Sequence, residues 1–252
     1  MKNKSLVIAK YTAKENLSNK IAIGFLVFSI ILLFGFSILK ELTIDNNLEM
    51  VKDIGLFFIE SFLLLITVFL SSSIIIKAHK DKSIYLILTK PVNRSEYVFG
   101  IFLGILSIIF CYEFFLGGIL TLVLKFQGYM FNKIYFLSYL YILYKFIILI
   151  SIGILFSLIS DSYITGNIFT FLIYFIAHAS YDIKNIMEKT GDILIKTIMK
   201  ILYFIMPKFH YLNLRDNLDY NYIFDYMDFL YVIFYTILVL IISVIIFNKR
   251  KL

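Results

Sequence analysis

Three ionisable residues lie inside long apolar runs of the sequence: Glu60, Glu113 and Lys145. On insertion scales, a charged side chain at the centre of a bilayer costs at least ~2.5 kcal/mol, so such groups usually face the interior of a helix bundle and pair. An ion pair between Glu113 and Lys145 would satisfy both groups structurally. The functional alternative is a polar lining for a substrate path, and the residues alone leave both interpretations open.

Other residue types that could perform chemistry are isolated along the chain. His178 and His210 have no cysteine, methionine or carboxylate at ligand spacing, and Cys111 is the only cysteine. Because a metal site needs three or four converging ligands, we expect no metal here. No Gly-x-Ser-x-Gly or Gly-x4-Gly-Lys-Ser/Thr motif is present, and none of the 11 glycines precedes a lysine. The sequence therefore predicts no catalytic residue, no nucleotide site and no cofactor bound by this chain.

The composition excludes an ordinary soluble domain. Of the 252 residues, 61% are apolar and only 16% are charged, whereas soluble domains have about 25% charged residues. A bilayer core is crossed by about 20 apolar residues in a helix. Six runs meet this criterion, at 21–39, 54–76, 97–124, 134–158, 163–180 and 229–247. We therefore predict an all-α polytopic membrane protein with six transmembrane helices.

The segment 192–206 is a seventh apolar stretch, but it is too short and too charged to span. Lys196 and Lys200 lie four residues apart, and Pro207 follows the stretch. This pattern predicts a surface helix or a re-entrant segment that ends at the proline.

Lysine and arginine predict the orientation of the spans. With the N-terminus inside, the inner segments carry more basic residues and a clearly positive net charge, while the outer ones are nearly neutral. This distribution favours cytoplasmic termini. We expect one membrane domain over 1–252, with an interfacial helix in 1–20, a cytoplasmic loop at 77–96 and an extracytoplasmic lobe at 181–228. The first span is interpreted as an uncleaved anchor.

The cytoplasmic loop has the most structured pattern of any connection. Its apolar residues repeat at helical spacing, Pro91 ends the repeat, and Asn93 with Glu96 forms the pattern of a capping box. The apolar residues are Ile84, Tyr85, Ile87 and Leu88. The loop therefore predicts a short helix set firmly before the third span. Such a helix either docks on a partner or rests on lipid headgroups.

The stretch Ser83-Ile-Tyr-Leu-Ile-Leu-Thr-Lys-Pro-Val-Asn-Arg-Ser-Glu96 resembles the signature of ABC transporter permeases of the ABC-2 export superfamily. Two other segments extend the resemblance: 14–20 looks like the interfacial elbow helix of that family, and 207–216 looks like its permease group linked to multicopper-enzyme maturation. The resemblance implies that the short helix is a coupling helix, which sits in a groove of an ATP-binding subunit. The coupling residues would be Ile84, Tyr85, Ile87, Leu88, Lys90, Pro91 and Arg94.

The resemblance also implies the function: a permease subunit, acting in export, that forms the translocation path of an ATP-driven transporter in a prokaryotic plasma membrane. Expected partners are a cytoplasmic ATP-binding subunit that carries ATP and Mg, a second permease copy or paralogue, and membrane lipid, but no nucleic acid. The alternative is an ion-gradient-driven secondary transporter, although neither proline lies in a span and no inverted repeat is visible. Gly100 and Gly104 form a GxxxG pattern, for which packing within the chain is favoured over dimerisation.

Overall fold

The computed structural model describes residues 4–17, 48–81, 92–190, 192–214 and 226–249, together with positions 23, 24, 26, 27, 29–31, 34 and 35. In this part of the chain all regular structure is helical. The helices whose two ends lie in the described ranges are α1 (Lys4–Leu17), α2 (Leu48–Lys80), α3 (Arg94–Phe126), α4 (Lys133–Ile159), α5 (Tyr163–His178), α6 (Ser180–Lys189), α7 (Ile193–Ile205) and α8 (Tyr226–Lys249).

Four of these helices, α2, α3, α4 and α8, are long and apolar enough to cross a membrane. The pair α5 and α6 meets the same test together, although it is bent by 58°. Among the described residues there are thus four or five candidate spans, and they coincide with the second to sixth predicted ones. Most of the first predicted span lies outside the described residues, where the positions that are described are helical. The prediction of an all-α polytopic membrane protein is confirmed, while the count of six remains a prediction.

Contacts between helix termini define the two ends of the bundle. At the first end, Lys77 Nζ of α2 lies 3.8 Å from Glu15 Oε1 of α1, and Lys80 Nζ lies 4.1 Å from the centre of the Tyr163 ring of α5. Arg94, at the start of α3, reaches the last residues of α8. We call this the α1 end. It brings together the segments that the charge pattern assigns to one side of the membrane.

At the opposite end, the start of α2 meets the loop between α3 and α4, because the Tyr129 hydroxyl donates to Glu49 Oε1 at 3.0 Å. The start of α8 is held there by Tyr141 of α4, which donates to Asp228 at 2.9 Å. We call this the distal end. Helices α2, α3 and α4 therefore alternate in direction, and α8 runs from the distal end to the α1 end.

Helix α1 lies against the first turns of α3. A Cβ atom at Gly100 would lie 2.7 Å from Cβ of Ile8, and one at Gly104 would lie 2.7 Å from Cβ of Thr12. Such distances are too short for a side chain, so only glycine lets the two backbones come this close. The GxxxG pattern thus packs within the chain, as predicted.

The segment predicted as a surface or re-entrant helix is α7. The Asp192 side chain caps it by accepting from Leu194 N at 2.9 Å, and α7 ends at Ile205, shortly before Pro207. It pairs with α6, yet none of its residues is buried. The helix and its boundaries are confirmed, with its apolar side chains left on the surface.

Candidate functional site

The centre of the bundle contains a buried ion pair between α2 and α4. Lys145 Nζ lies 2.7 Å from Glu60 Oε1, and the two side chains are among the most buried charged groups of the described chain, at 1% and 6% exposed. Of the two interpretations left open by the sequence, the ion pair between Lys145 and Glu113 is therefore not formed, since Lys145 pairs with Glu60. Both carboxylates belong to helices packed on α4, but the rotation of α2 about its axis places Glu60 against the amine.

Two residues of α5 also lie against Glu60. The Tyr174 hydroxyl donates to Glu60 Oε1 at 2.9 Å, and His178 Nε2 lies 3.4 Å from the same oxygen and 3.4 Å from Lys145 Nζ. His178 Nδ1 lies 3.0 Å from the carbonyl oxygen of Tyr174. Because a carbonyl oxygen only accepts, Nδ1 carries a proton in this contact, and Nε2 is the ring atom that faces Glu60 and Lys145.

The segment after Pro207 contributes a further partner of Lys145. Phe209 N donates to Ala177 O at 3.3 Å, and the side chains of Phe209 and Leu212 are fully buried. The segment 207–214 therefore folds back into the bundle, where Lys145 Nζ lies 3.4 Å from Asn213 Oδ1. We call Glu60, Lys145, Tyr174, His178 and Asn213 the polar cluster.

Glu60 and Lys145 of the polar cluster are predictable from the sequence as buried charges, whereas Tyr174 and Asn213 are not among the predicted residues. A signal for the first exists: Tyr174 lies four residues before His178, so both belong to one face of a helix. Asn213 stands between Leu212 and Leu214 in a polar connection. These two flanking leucines are the only feature of the sequence that indicates the burial of Asn213.

The space beside the polar cluster is small. A cavity of about 10 Å³ lies against Glu60 and Lys145, and Ser138, Ile142, Leu212 and Asn213 also line it. This volume is about that of one water-sized sphere. The polar cluster can thus join α2, α4, α5 and the returning loop electrostatically, but it offers no room for a larger molecule in this state.

Glu113 lies in a different setting, on the distal half of α3. It lines an open groove of about 620 Å³ between α3 and α4, together with aromatic and aliphatic side chains. Only 5% of the residue is exposed, and its Oε1 atom has no hydrogen-bond partner in the described part of the chain. The structure therefore separates the three predicted intramembrane residues into a satisfied pair and a carboxylate in a groove.

Of the predicted coupling residues, only Arg94 is described. Ile84, Tyr85, Ile87, Leu88, Lys90 and Pro91 lie outside the described residues. The Arg94 guanidinium donates to the carbonyl oxygens of Phe247 and of Asn248, the latter at 3.1 Å, and it lies over the Phe247 ring. A cation at a helix C-terminus satisfies carbonyls that lack partners within the helix, so Arg94 fastens the start of α3 to the end of α8.

The predicted capping box at the start of α3 is present. Asn93 is the N-cap residue, and its backbone N–H donates to Glu96 Oε2 at 2.8 Å. The cap fixes the direction in which the chain enters α3 from the preceding loop.

The second histidine, His210, lies apart from the polar cluster in the returning loop. Its Nδ1 lies 2.7 Å from the Ser180 hydroxyl at the start of α6. Partial burial, with Lys208 and Lys184 nearby, lowers the pKa of His210 below its usual value. Among the described side chains, no group of three His, Cys, Asp or Glu residues converges on one point.

Comparison with protein families agrees with this architecture. The family model described as ABC-2 family transporter protein matches residues 4–252. The chain belongs to this family. The comparison with curated proteins finds no match. Membership in the ABC-2 family assigns the chain to the membrane components of ABC transporters, which generally lack a nucleotide site of their own. The link to multicopper-enzyme maturation is not tested by the match and remains a prediction.

Proposed function

We propose that this ABC-2 family protein is the permease subunit of an ATP-driven exporter, and that it couples to a separate ATP-binding subunit through the segment between Lys80 and Arg94. Its coupling residues are Ile84, Tyr85, Ile87, Leu88, Lys90 and Pro91. Arg94 acts as the anchor at the downstream end of that segment. The partner subunit binds ATP and Mg, since this sequence contains no phosphate-binding motif.

The observation that carries the proposal is the attachment of both flanks of this segment at the α1 end. Upstream, Lys77 faces Glu15 of α1 and Lys80 lies over Tyr163 of α5. Downstream, Asn93 caps α3 and Arg94 holds the end of α8. A force applied to the segment would therefore act on α2 and α3, which it joins, and would reach α1, α5 and α8 through the contacts of its flanks. A loop that only rested on lipid would not require this arrangement.

The basic residues indicate which side of the membrane the α1 end faces. Lys77, Lys80 and Arg94 gather there with the N-terminal helix and the end of α8. Under the positive-inside rule this end is cytoplasmic, which is where an ATP-binding subunit would meet it. We place the chain in a prokaryotic plasma membrane with both termini inside, and a second copy or a paralogue completes the pathway.

The test is co-purification from the native membrane in mild detergent. The wild-type chain should retain an ATP-binding subunit, and Leu88→Asp should lose it because a charge then interrupts the apolar docking face. Leu86→Asp is the matched control, since it adds the same charge two residues away, outside the predicted apolar face. Both variants should elute at the same position as the wild type in size-exclusion chromatography.

The outcomes separate the parts of the proposal. If Leu88→Asp keeps the subunit and normal transport, the coupling site is wrong. If the wild type retains no ATP-binding subunit although it is folded, ATP-driven function is wrong. Substrate uptake driven by an ion gradient in ATPase-free vesicles would then identify a secondary transporter.

A further inference from the structure

The groove beside Glu113 has the dimensions of a ligand site. It lies between α3 and α4 in the distal half of the bundle, and its volume of about 620 Å³ falls within the ~300–1,000 Å³ typical of small-molecule pockets. Its walls are almost entirely apolar, formed by Phe110, Phe114 and Leu122 of α3 and by Phe136, Leu140 and Leu143 of α4. We call this space the Glu113 groove.

Among the described residues that line the groove, Glu113 is the one carboxylate. Its Oε1 atom has no hydrogen-bond partner among the described residues, although only 5% of the residue is exposed. Lys145 does not compensate it, because that amine lies against Glu60. The nearby Tyr139 hydroxyl is engaged with the hydroxyl of Tyr135 at 2.6 Å. Buried polar groups nearly always have a partner, so a hydrogen-bond donor from outside the described residues would satisfy this carboxyl group.

We propose that the Glu113 groove binds a hydrophobic amine, with the apolar body of the ligand against the groove walls and its ammonium group at the Glu113 carboxyl group. Charge complementarity selects this occupant, since a carboxylate in an apolar wall favours a cation that brings its own apolar surface. If the proposed function holds, such amines are the class of substrate that reaches the pathway from the distal half of the membrane.

A second copy of the chain fits the same surface poorly. In a two-fold contact the same patch serves both subunits, and no described residue that lines the groove is a lysine or an arginine. A second copy would therefore bring no cation to Glu113, whereas an amine brings its own.

The absence of tryptophan from the sequence permits a direct binding measurement. Phe136→Trp places a single indole at the groove, where the phenylalanine is more than half exposed. The full chain is reconstituted in nanodiscs and titrated with dodecylamine that carries a dansyl group at the far end of its chain. The matched probe is the corresponding dodecanol. Energy transfer from the indole to dansyl reports occupancy, and the ammonium probe should bind at least tenfold more tightly than the alcohol.

Two variants in the Phe136→Trp background locate the site. Glu113→Gln should remove the preference and bring the two probes to equal affinity, because the amide keeps the shape but not the charge. Gly118→Leu should weaken both probes equally, because it fills the groove. A Cβ at Gly118 meets no atom within 4 Å, so this substitution does not strain the helix.

Equal binding of the two probes by the Phe136→Trp chain, or a preference that survives Glu113→Gln, would overturn the inference. It would also be overturned if differently tagged copies co-purify and Gly118→Leu separates them, because a second copy would then fill the groove. The same preparations are probed for the ATP-binding subunit. If the Phe136→Trp chain shows no preference for the amine but retains that subunit, only the inference about the groove is refuted. If it binds the amine but retains no such subunit, only the proposed function is refuted.

Discussion

Glu60 and Glu113 are two carboxylates of the same membrane bundle, each 5% exposed, in contrasting surroundings. Glu60 accepts from Lys145 and Tyr174 and lies near His178, with a cavity of about 10 Å³ beside it. Glu113 has an unpartnered oxygen among the described residues and lines a space of about 620 Å³. Two equally buried carboxylates therefore differ in role: Glu60 joins helices, and Glu113 is where we propose that an amine binds.

Lys145→Met should cause the largest loss of stability. Removing one partner of a buried ion pair leaves an uncompensated charge, which costs about 3–5 kcal/mol. Thermal unfolding in mild detergent should show a strongly lowered midpoint. The double variant Glu60→Gln/Lys145→Met removes both charges and should recover much of the loss. If the double variant is as unstable as the single one, the ion pair does not explain the effect.

Tyr174→Phe should have a smaller effect of the same sign, because it removes a donor to a charged acceptor and leaves the ion pair in place. A loss of about 1–2 kcal/mol is expected for such a bond in a membrane protein. The matched control is Tyr139→Phe, whose hydroxyl meets the neutral Tyr135 hydroxyl instead of a carboxylate. Unfolding midpoints that fall equally for the two variants would contradict the distinction between the two regions.

Much of this fold could be predicted from sequence, because lipid requires long apolar runs. The runs at 54–76, 97–124 and 134–158 fall inside α2, α3 and α4. The capping box at Asn93 and the helix that ends before Pro207 follow from local rules of backbone geometry. Such signals depend on neighbouring residues and need no knowledge of how helices pack.

The partner of Lys145 could not be predicted in the same way. Glu60 and Glu113 both occur in apolar helices next to α4, and which one meets the amine depends on helix rotation, which sequence spacing does not determine. The burial of Asn213 depends on a loop that returns into the bundle. Its apolar residues, Phe209, Leu212 and Leu214, have no regular period. Tertiary packing decides both cases.

His210 gives a modest pH dependence to the loop that carries Asn213. Its pKa is lowered in the folded protein by burial and by nearby lysines, so the unfolded chain binds more protons once the pH falls below about 6.5. Stability should therefore decrease as the pH falls from 7 to 5. His210→Gln keeps a hydrogen-bonding side chain near Ser180 and should flatten this dependence. Unfolding midpoints of both proteins across that range provide the check.

Glu113→Gln should have the smallest effect on stability, with an unfolding midpoint equal to or above that of the wild type. The side chain has an oxygen without a partner in the described chain, so the isosteric amide breaks no described hydrogen bond of that oxygen, and an uncharged group is the less costly one at a buried position. Glu60→Gln is the matched control and should lower the midpoint, because it leaves Lys145 uncompensated. A similar loss in both variants would show that Glu113 also has a structural partner. An unchanged midpoint together with lost amine preference would show that Glu113 contributes to ligand binding and not to stability.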